Sequence, residues 1–446
     1  MYPDKAPPAD VRTTHRHGTA TRRRLLAAAL VVPLALGAAA CGGDDESGDP
    51  NAKVELSVFW WGAEKRAQLT EQALDLYTSK HPNVTFKKTW QANQGYFDKL
   101  ATLTAGGNAP DLFQIDRGYV NEYAGRGALY DMSADKADID LSKWDASFAN
   151  SGKINGKLVA VPFAQNSQTI VIDQTLAQQY GVAMPDKSWT WDDLKTWAQQ
   201  VHDKSGGKVF GIADPGSTYP AFESWLVQHN KHLYDDKGKL GYTVQDVVDF
   251  WNFCTDLRKS GAATTAELTA TITGTPADEP LPKGKAAAEW DYDSLYTLYV
   301  AATKDQLAMY PLPQVNGNTG MLPKPAQMLS VYSKSKHPKE AIELMNFLLN
   351  DKDAANALGG SRGLQPNLDI RNSMAASATD PGVKAIYAYE ADNKSKLNPA
   401  AVTPPKGDSQ VLTLMQRTYQ DVAFGRQSVQ DAANSFYSQT KQLTGN

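Results

Sequence analysis

Two adjacent tryptophans, Trp60 and Trp61, stand at the end of the apolar run from Leu56 to Gly62, LSVFWWG. The run predicts a buried strand, and aromatic rings at the carboxyl end of a strand offer a flat surface to a partly apolar ligand. Because successive strand side chains point to opposite faces, at most one of the two is expected in the core. We assign Trp60 to the core and Trp61 to a ligand; burial of both is the alternative.

A second aromatic and acidic cluster, Trp290 to Asp293, ends a later apolar segment. Asp116 follows the predicted strand 112–115, and Asn166 follows the apolar run 158–163. Rings that stack on CH faces, together with carboxylates and amides that bond hydroxyl groups, suit a carbohydrate ligand. As alternatives, Asp116 caps the turn that follows it and Asn166 shapes a turn.

Signatures of catalysis are few in this sequence. It contains no phosphate-binding glycine loop followed by Lys-Ser or Lys-Thr, and no His-Glu-x-x-His. His229 and His232, with Asp235 and Asp236 nearby, are candidate metal ligands, but no third well-spaced histidine or cysteine completes a set. We therefore expect a binding function without a cofactor or a metal.

Two other functional classes stay open. Carboxylates that flank a sugar can hydrolyse it, and Asp116, Glu64 and Asp291 are the candidates for a secreted glycan-degrading enzyme. A lipid-anchored adhesion module is the second alternative.

The first forty residues predict an export signal, in which a basic cluster, Arg22 to Arg24, precedes the apolar run 25–36. Small residues before Cys41 resemble a bacterial lipoprotein cleavage box, which would make Cys41 the lipidated amino terminus, although Ala38 stands where leucine is usual. The arginines also resemble a twin-arginine signal, so both export routes are open. Residues 41–52 predict a flexible tether that holds the protein at the outer face of the cytoplasmic membrane.

The mature chain is acidic and long enough for two lobes. The first forty residues hold six of the 45 basic and two of the 49 acidic side chains, which leaves a formal charge of −8 on the rest. This charge argues against nucleic acid as a partner. The one other cysteine, Cys254, lies among apolar residues at helical spacing and is expected to be a buried, unpaired thiol.

Strand and helix patterns alternate along the chain. The first strand is followed by a helix over 64–80, and Thr190 with Asp193 resembles the capping box of a later helix. The alternation predicts an α/β fold of two lobes, each a mainly parallel sheet flanked by helices, joined by a hinge near Asn166. In such sheets ligands bind beyond the carboxyl ends of the strands.

Six stretches of the chain together form a recognisable pattern: Phe59 to Gly62, Gly107 to Asp116, Gly284 to Ala288, Met328 to Leu349, Ser361 to Gly363 and Gly425 to Val429. In this order they resemble the extracellular solute-binding proteins of ATP-driven sugar importers, the broad group that includes maltose-binding protein. The resemblance covers essentially all of the mature chain, and Ala288 departs from it where relatives often have methionine.

The resemblance implies two lobes that close on a sugar, and a monomer that delivers the sugar to the membrane permease of an ABC transporter. The first lobe would comprise residues 53–164 and 305–358, and the second residues 166–304 and 363–446. The contact positions carried over from the family are Trp61, Glu64, Arg66, Asp116, Asn166, Trp225, Trp290, Asp291 and Arg362.

The kind of sugar is open between neutral and acidic di- or oligosaccharides. The Trp-Trp-Gly loop resembles importers of plant-wall oligosaccharides, including acidic ones, and Arg66 or Arg362 could pair with a uronate carboxylate. Both arginines could equally brace the fold. A neutral sugar is our first expectation.

Overall fold

The computed structural model describes residues 52–93, 95–133, 139–272 and 275–446. The predicted export signal, Cys41 and almost all of the predicted tether lie outside these described residues. None of the helices in the described part is long and apolar enough to span a membrane.

The strands of the described residues are mostly short and belong to two main sheets. They are β1 (Val54–Trp61), β2 (Val84–Gln91), β3 (Leu112–Ile115), β4 (Lys153–Ile154), β5 (Lys157–Leu158), β6 (Val161–Asn166), β7 (Gln168–Asp173), β8 (Ala288–Tyr292), β9 (Leu307–Tyr310) and β10 (Lys324–Val331).

Helices cover both sheets and form the end of the chain. They are α1 (Glu64–Lys80), α2 (Tyr96–Ala105), α3 (Arg117–Gly125), α4 (Ala146–Ala149), α5 (Gln174–Gln179), α6 (Trp191–Lys204), α7 (Tyr219–Gln228), α8 (Val244–Lys259), α9 (Ala266–Thr269), α10 (Tyr296–Ala302), α11 (Pro338–Asn350), α12 (Lys352–Leu358), α13 (Leu368–Ser377), α14 (Pro381–Asn393), α15 (Asp408–Ala423) and α16 (Val429–Thr444).

Local sequence fixes where several helices begin. The predicted capping box of α6 is confirmed, because the Thr190 side chain accepts from the Asp193 backbone while the Asp193 carboxylate accepts from Thr190. The α8 helix begins with a second capping box, Thr243 with Asp246. The α7 helix has Pro220 in its first turn, where a backbone N–H has no helical partner to lose.

The first lobe contains a five-stranded sheet in the order β2, β1, β3, β10, β6. The β1 strand runs parallel to β2 and to β3, and only β10 runs against its neighbours. This sheet is mainly parallel, as the sequence predicts.

The second lobe contains a three-stranded sheet in the order β8, β7, β9, and the expectation of a mainly parallel sheet is wrong here. The central strand β7 is antiparallel to both neighbours. Among the described residues of this lobe, parallel pairing is confined to isolated bridges such as Phe210 with Ala286.

The direction of the strands that follow each crossing between the lobes explains why the first sheet is mainly parallel and the second is antiparallel. The chain passes from β6 to β7 through Ser167, so β7 starts at the hinge and runs away from it. On the return, β10 starts at Lys324, opposite Asn166, and likewise runs away from the hinge. The strands that are antiparallel to these two therefore end at the hinge side. Each sheet thus contains one strand that runs away from the hinge. In the five-stranded sheet the other four strands share one direction, so the sheet is mainly parallel. In the three-stranded sheet this strand is central, so both of its pairings are antiparallel.

The β9 strand corrects the predicted boundary at residue 305. It pairs with β7, and Leu307, Met309 and Leu312 belong to the core of the second lobe. The chain returns to the first lobe only where β10 begins, at Lys324. The family resemblance had implied that residues 305–323 belong to the first lobe, and the apolar run 307–312 itself gives no sign of the sheet that it joins.

The cores follow this division. Side chains of β1 alternate between two clusters on opposite faces of the first sheet, with Leu56, Val58 and Trp60 on one face and Phe59 and Trp61 on the other. The second lobe has one large core, which includes the predicted buried thiol of Cys254. Burial raises the pKa of this thiol well above its usual range.

Candidate functional site

Trp60 and Trp61 occupy opposite faces of β1, as the alternation predicts. Trp60 is 1% exposed and lies in the core that faces α1. Trp61 is 7% exposed and packs against Tyr96 and Phe97, with ring centroids 4.9 and 5.5 Å away. Both rings are therefore largely buried, and a ligand contact of Trp61 stays a prediction.

Asp116 caps α3, which is the alternative that the sequence left open. Its Oδ1 accepts a hydrogen bond of 2.9 Å from the backbone N–H of Gly118, and the side chain remains half-buried. The cap fixes the start of α3 at the carboxyl end of β3, so the next residue, Arg117, projects from a defined position.

Arg117 connects the two lobes. Its Nη1 lies 3.7 Å from Oε1 of Glu223, which is buried on α7 of the second lobe. Its Nη2 donates to the carbonyl of Val402, in the segment between α14 and α15. Both side chains of the ion pair are mostly buried, so solvent screens the interaction weakly.

Lys324 makes a second contact between the lobes at the first residue of β10. Its Nζ donates to the hydroxyl of Tyr292 over 2.8 Å and lies 4.9 Å from the ring centroid. Burial disfavours the ammonium charge, but Tyr292, Asp116 and Glu223 favour it more, and the pKa of Lys324 is raised. A cation is thus held where strands of both lobes meet.

Asn166 lies beside Lys324, because the two residues are paired in the β6 and β10 register. Its Oδ1 is buried and has no hydrogen-bond partner in the structure. Gly363 approaches it closely at φ +116°, and a Cβ on this glycine would lie 2.2 Å from Oδ1. The amide therefore sits inside the hinge with one free acceptor.

Trp290 and Asp291 follow one another on β8 and point to opposite faces. The Trp290 ring stacks on Trp191 at 5.8 Å between centroids, and its Nε1 has no hydrogen-bond partner. Asp291 accepts from the Tyr292 backbone N–H (2.7 Å) and from the Tyr299 hydroxyl (2.8 Å). Burial raises the pKa of Asp291 to about 7 despite these bonds.

Two cavities flank α7. The larger has a volume of about 570 Å³, within the usual range for ligand pockets, and Arg117, Glu223, His232 and Asn398 are among its lining residues. The smaller, about 240 Å³, we call the acidic cavity. Its lining includes Asp214, Tyr219, Glu279, Glu289, Trp290, Asp291 and Tyr299.

Trp225 belongs to an aromatic group on α6, α7 and α8 rather than to either cavity lining. Its ring centroid lies 5.3 Å from that of Trp191 and 5.5 Å from that of Phe253. The Trp225 carbonyl also faces Nδ1 of His229 at 2.7 Å. In the described residues no group of three or more histidine, cysteine, aspartate or glutamate side chains is placed to hold a metal ion.

The two predicted arginines make contacts that brace the first lobe. Arg66 on α1 donates from Nε and Nη2 to the Ser361 carbonyl, at 3.0 and 2.7 Å. Arg362 is buried, donates to Thr70 (2.7 Å) and Gln114 (3.2 Å), and stacks on a phenylalanine ring. Glu64, in the first turn of α1, is exposed.

Ser361 lies in the sequence Gly359 to Gly363, whose Gly-x-Ser-x-Gly spacing matches the nucleophile elbow of hydrolases. The structure gives this serine a structural role. Its hydroxyl donates to the Leu358 carbonyl over 2.9 Å, and its own carbonyl receives the guanidinium of Arg66. The loop lies between α12 and α13 rather than between a strand and a helix, as an elbow requires.

The structure thus places Asp116 and Asn166 near Lys324 at the junction of the lobes. Trp290 and Asp291 contact residues of the second lobe, and Trp225 and Arg362 lie in packed surroundings. Three residues at this junction were not predicted from the sequence, namely Arg117, Glu223 and Lys324, whereas Tyr292 belongs to the predicted aromatic and acidic cluster Trp290 to Asp293. The position of Arg117 directly after Asp116 was the one available signal. Glu223 lies in an otherwise apolar helix, and Lys324 in a stretch that reads as a loop.

Known proteins of similar sequence and shape agree with this architecture. Diacetylchitobiose binding protein DasA of Streptomyces coelicolor is 24% identical over 392 residues, covering 81% of this chain and 87% of its own. A solved extracellular solute-binding protein family 1 structure from Alicyclobacillus acidocaldarius is 30% identical, with a TM-score of 0.71 over 89% of this chain and 99% of that one.

A Yersinia enterocolitica oligogalacturonide binding protein, solved with saturated digalacturonic acid, is 25% identical with a TM-score of 0.75 over 88% of this chain and 99% of that one. The family model described as bacterial extracellular solute-binding protein matches residues 62–355. The two-lobed α/β fold and the matched sequence establish that the chain belongs to the bacterial extracellular solute-binding proteins.

Proposed function

We propose that this protein captures a di- or oligosaccharide between its lobes outside the cytoplasmic membrane and delivers it to the permease of an ABC transporter. Membership of the family supports capture of a solute. The names of the relatives support a sugar, since one binds diacetylchitobiose and another an oligogalacturonide. Anchoring through Cys41 and action as a monomer are parts of the same proposal.

The observation that carries the proposal is that polar groups of both lobes meet beside a cavity of ligand size, the larger one, which Arg117 and Glu223 line. Arg117 contacts Glu223, and Lys324 contacts Tyr292, each pair spanning the lobes. Trp290 borders the acidic cavity beside four carboxylates. Aromatic surface with a few convergent polar groups is what a sugar site requires.

Binding and closure are linked in this proposal. A ligand that contacts both lobes binds the closed form better than the open form, so it shifts the equilibrium by its difference in affinity. The polypeptide crosses between the lobes at Ser167, before Lys324 and near Gly363, and these segments are the proposed hinge. The permease would then recognise the closed surface.

A thermal-shift screen of neutral, amine-bearing and acidic oligosaccharides tests the proposal, because a ligand of the folded state alone raises the melting temperature. Calorimetry on Trp61→Ala and Trp290→Ala follows. We expect each to lose about 1 to 3 kcal/mol of affinity if its ring contacts the sugar. Trp90→Ala is the matched control, since this ring is 39% exposed on β2. Unchanged affinity in a folded variant would remove that ring from the site.

If the protein were a glycan-degrading enzyme, it would release shorter sugars from its ligand. Under our proposal, purified protein incubated with each oligosaccharide that raises its melting temperature should leave the sugar intact, as chromatography of the mixture would show. Release of shorter sugars would contradict a function in binding alone.

A further inference from the structure

Two buried carboxyl groups, those of Asp293 and Glu390, lie together at the hinge, and we call them the carboxyl pair. Asp293 directly follows β8 and is fully buried, and Glu390 on α14 is 5% exposed. The two side chains are in hydrogen-bonding contact with each other. Both also bond the short stretch of chain that passes from β6 to β7, where the polypeptide first crosses between the lobes.

Hydrogen bonds tie each carboxyl group to this crossing. Oδ1 of Asp293 accepts from the backbone N–H of Ser167 over 3.0 Å, and the Asp293 N–H donates to the Ser167 carbonyl over 3.0 Å. Oε2 of Glu390 accepts from Nε2 of Gln165 over 3.3 Å. Because Gln165 and Ser167 are two residues apart in extended chain, they face the same side and hold the two acids next to each other.

A second crossing segment is joined to the same place. Gln165 exchanges two backbone hydrogen bonds, of 2.8 and 2.9 Å, with Leu364. Arg371 on α13 donates from Nη2 to Oε1 of Gln165 over 3.0 Å and from Nε to the Gln365 carbonyl over 2.7 Å. The Gln165 amide therefore stands between the guanidinium of Arg371 and the carboxyl group of Glu390, and it connects the carboxyl pair to two segments of the proposed hinge.

The remaining oxygens of the pair indicate how many protons it carries. Oδ2 of Asp293 and Oε1 of Glu390 are both buried, and neither receives a hydrogen bond from any other described residue. Two ionised carboxylates offer only acceptors, so they would face each other with two charges and no donor between them. One proton supplies that donor, and it leaves a single negative charge, which the nearby Arg371 balances.

We propose that Asp293 and Glu390 share one proton and that this proton holds the hinge in the conformation in which the lobes are in contact, so that the lobes open more readily as the pH rises. The inference rests on the proposed function for the movement of the hinge, whereas the shared proton itself does not depend on a sugar. Loss of the proton places two charges side by side in a buried site. Water must then enter to solvate them, which separates the crossing chain from α14.

The direction of the pH effect follows from the surroundings of Asp293. Burial raises its pKa well above the usual range and Glu390 raises it further, although the backbone N–H groups of Ser167 and Ser294 lower it. In a conformation that admits water, this pKa falls back toward its ordinary value. The closed hinge therefore binds the proton more tightly than the open hinge, and opening becomes more favourable as the pH rises between the two values.

Arg371, Tyr389 and Tyr387 are the other ionisable side chains that face the pair or its cation in the described residues. Burial lowers the pKa of Arg371, and the two carboxyl groups oppose this change. Tyr389 donates to the Gln168 carbonyl over 2.8 Å, and burial raises its pKa well above the usual range. Burial raises the pKa of Tyr387 to about 12. An arginine and two such tyrosines keep one charge state near neutral pH, so the carboxyl pair is the titrating group.

Infrared difference spectroscopy tests the shared proton. Glu390→Gln keeps the shape of the side chain and replaces the proton with a permanent amide donor, and Asp293→Asn does the same from the other side. Relative to the wild type at pH 7, both variants should lose intensity in the carbonyl band of protonated carboxyl groups. Glu343→Gln, at an exposed site on α11, is the matched control and should keep this intensity.

Hydrogen–deuterium exchange of the ligand-free protein tests the hinge, because the Ser167 amide donates to Asp293. After correction for the chemical effect of pH, peptides that contain Ser167 should exchange at least about tenfold faster at pH 9 than at pH 6, the change that one pKa unit gives. The radius of gyration from small-angle scattering should rise over the same range. In Glu390→Gln the increase in exchange should fall below about threefold, whereas Glu343→Gln should follow the wild type.

Three results would overturn the inference. The first is a carboxyl band that both folded variants retain at full intensity. The second is exchange at Ser167 that rises with pH as much in Glu390→Gln as in the wild type, and the third is exchange in the wild type that does not vary with pH. The proposed function fails by a different measurement, the oligosaccharide screen, because all of these experiments are made without a ligand.

Discussion

Asp291→Asn should make the ligand-free protein less sensitive to rising pH. In the native protein the Asp291 carboxyl is enclosed at the edge of the acidic cavity, and its pKa is raised from 3.8 to about 7. Asparagine keeps the shape of the side chain without its charge. Its Oδ1 can still accept from the Tyr292 backbone N–H, and its Nδ2 can donate to the Tyr299 hydroxyl.

The direction of the effect follows from proton binding. In the unfolded chain Asp291 ionises near its ordinary value of 3.8, whereas in the folded protein it ionises near 7. Between these values the folded state binds more protons, so the free energy of unfolding falls as the pH rises from about 4 to about 7 and then levels off. At about 1.4 kcal/mol per pKa unit the upper limit is ~4 kcal/mol.

We expect an observed difference of roughly half that limit, because Asp291 borders the cavity and keeps some contact with solvent. Urea unfolding of the wild type, Asp291→Asn and the surface control Asp249→Asn at pH 4, 5, 6, 7 and 8 measures it. The difference in the free energy of unfolding between Asp291→Asn and the wild type should grow with pH and stay constant above about pH 7.5. A difference that does not change with pH would refute the reasoning.

Three further predictions concern the junction, the hinge and the core. Glu223→Gln removes the anion of the ion pair between the lobes, so the closed form loses stability and small-angle scattering of the ligand-free protein should give a larger radius of gyration. No change would mean that the pair does not hold the lobes together. Gly363→Ala should lower the melting temperature, because its Cβ would lie 2.2 Å from Asn166, whereas Gly360→Ala in the same loop meets nothing within 4 Å. Equal effects would contradict the clash. The Cys254 thiol should react with a thiol reagent only after urea unfolds the protein, because it is fully buried with a raised pKa. Rapid reaction of the native protein would show that the core opens.

The architecture was accessible from the sequence, but the sheet of the second lobe was not. Apolar periodicity identifies strands and helices one at a time, and it placed β1, α1 and the capping box of α6 correctly. It carries no information on which sheet a short strand joins. The β9 strand, which the family resemblance had placed in the wrong lobe, could therefore not be reassigned from its apolar pattern, since its partner β7 lies more than 130 residues earlier in the chain.

The site was harder to predict, because its residues meet only after the lobes pack. Asp116 and Arg117 are adjacent in the chain, yet the structure makes the first a helix cap and the second a contact between lobes. Glu223 and Glu289 lie within apolar segments, where a carboxylate resembles an isolated surface residue. Burial turns each of them into a group that needs a partner.

Strand direction offers a rule that would have found more of the junction. Asp116, Asn166 and Tyr292 stand at or just beyond the carboxyl ends of strands that run toward the hinge, which is where ligands of such sheets are sought. Lys324 reaches the same place from the opposite direction, because it begins a strand that enters its lobe from the other one. In a chain that crosses between two sheets, the amino-terminal residue of each crossing strand therefore belongs to the same edge as the carboxyl-terminal residues of the others. By this argument Gln168, the first residue of β7, occupies the position in the second lobe that Lys324 occupies in the first, and its buried Oε1 indeed accepts from the backbone of the other crossing segment, at Leu322.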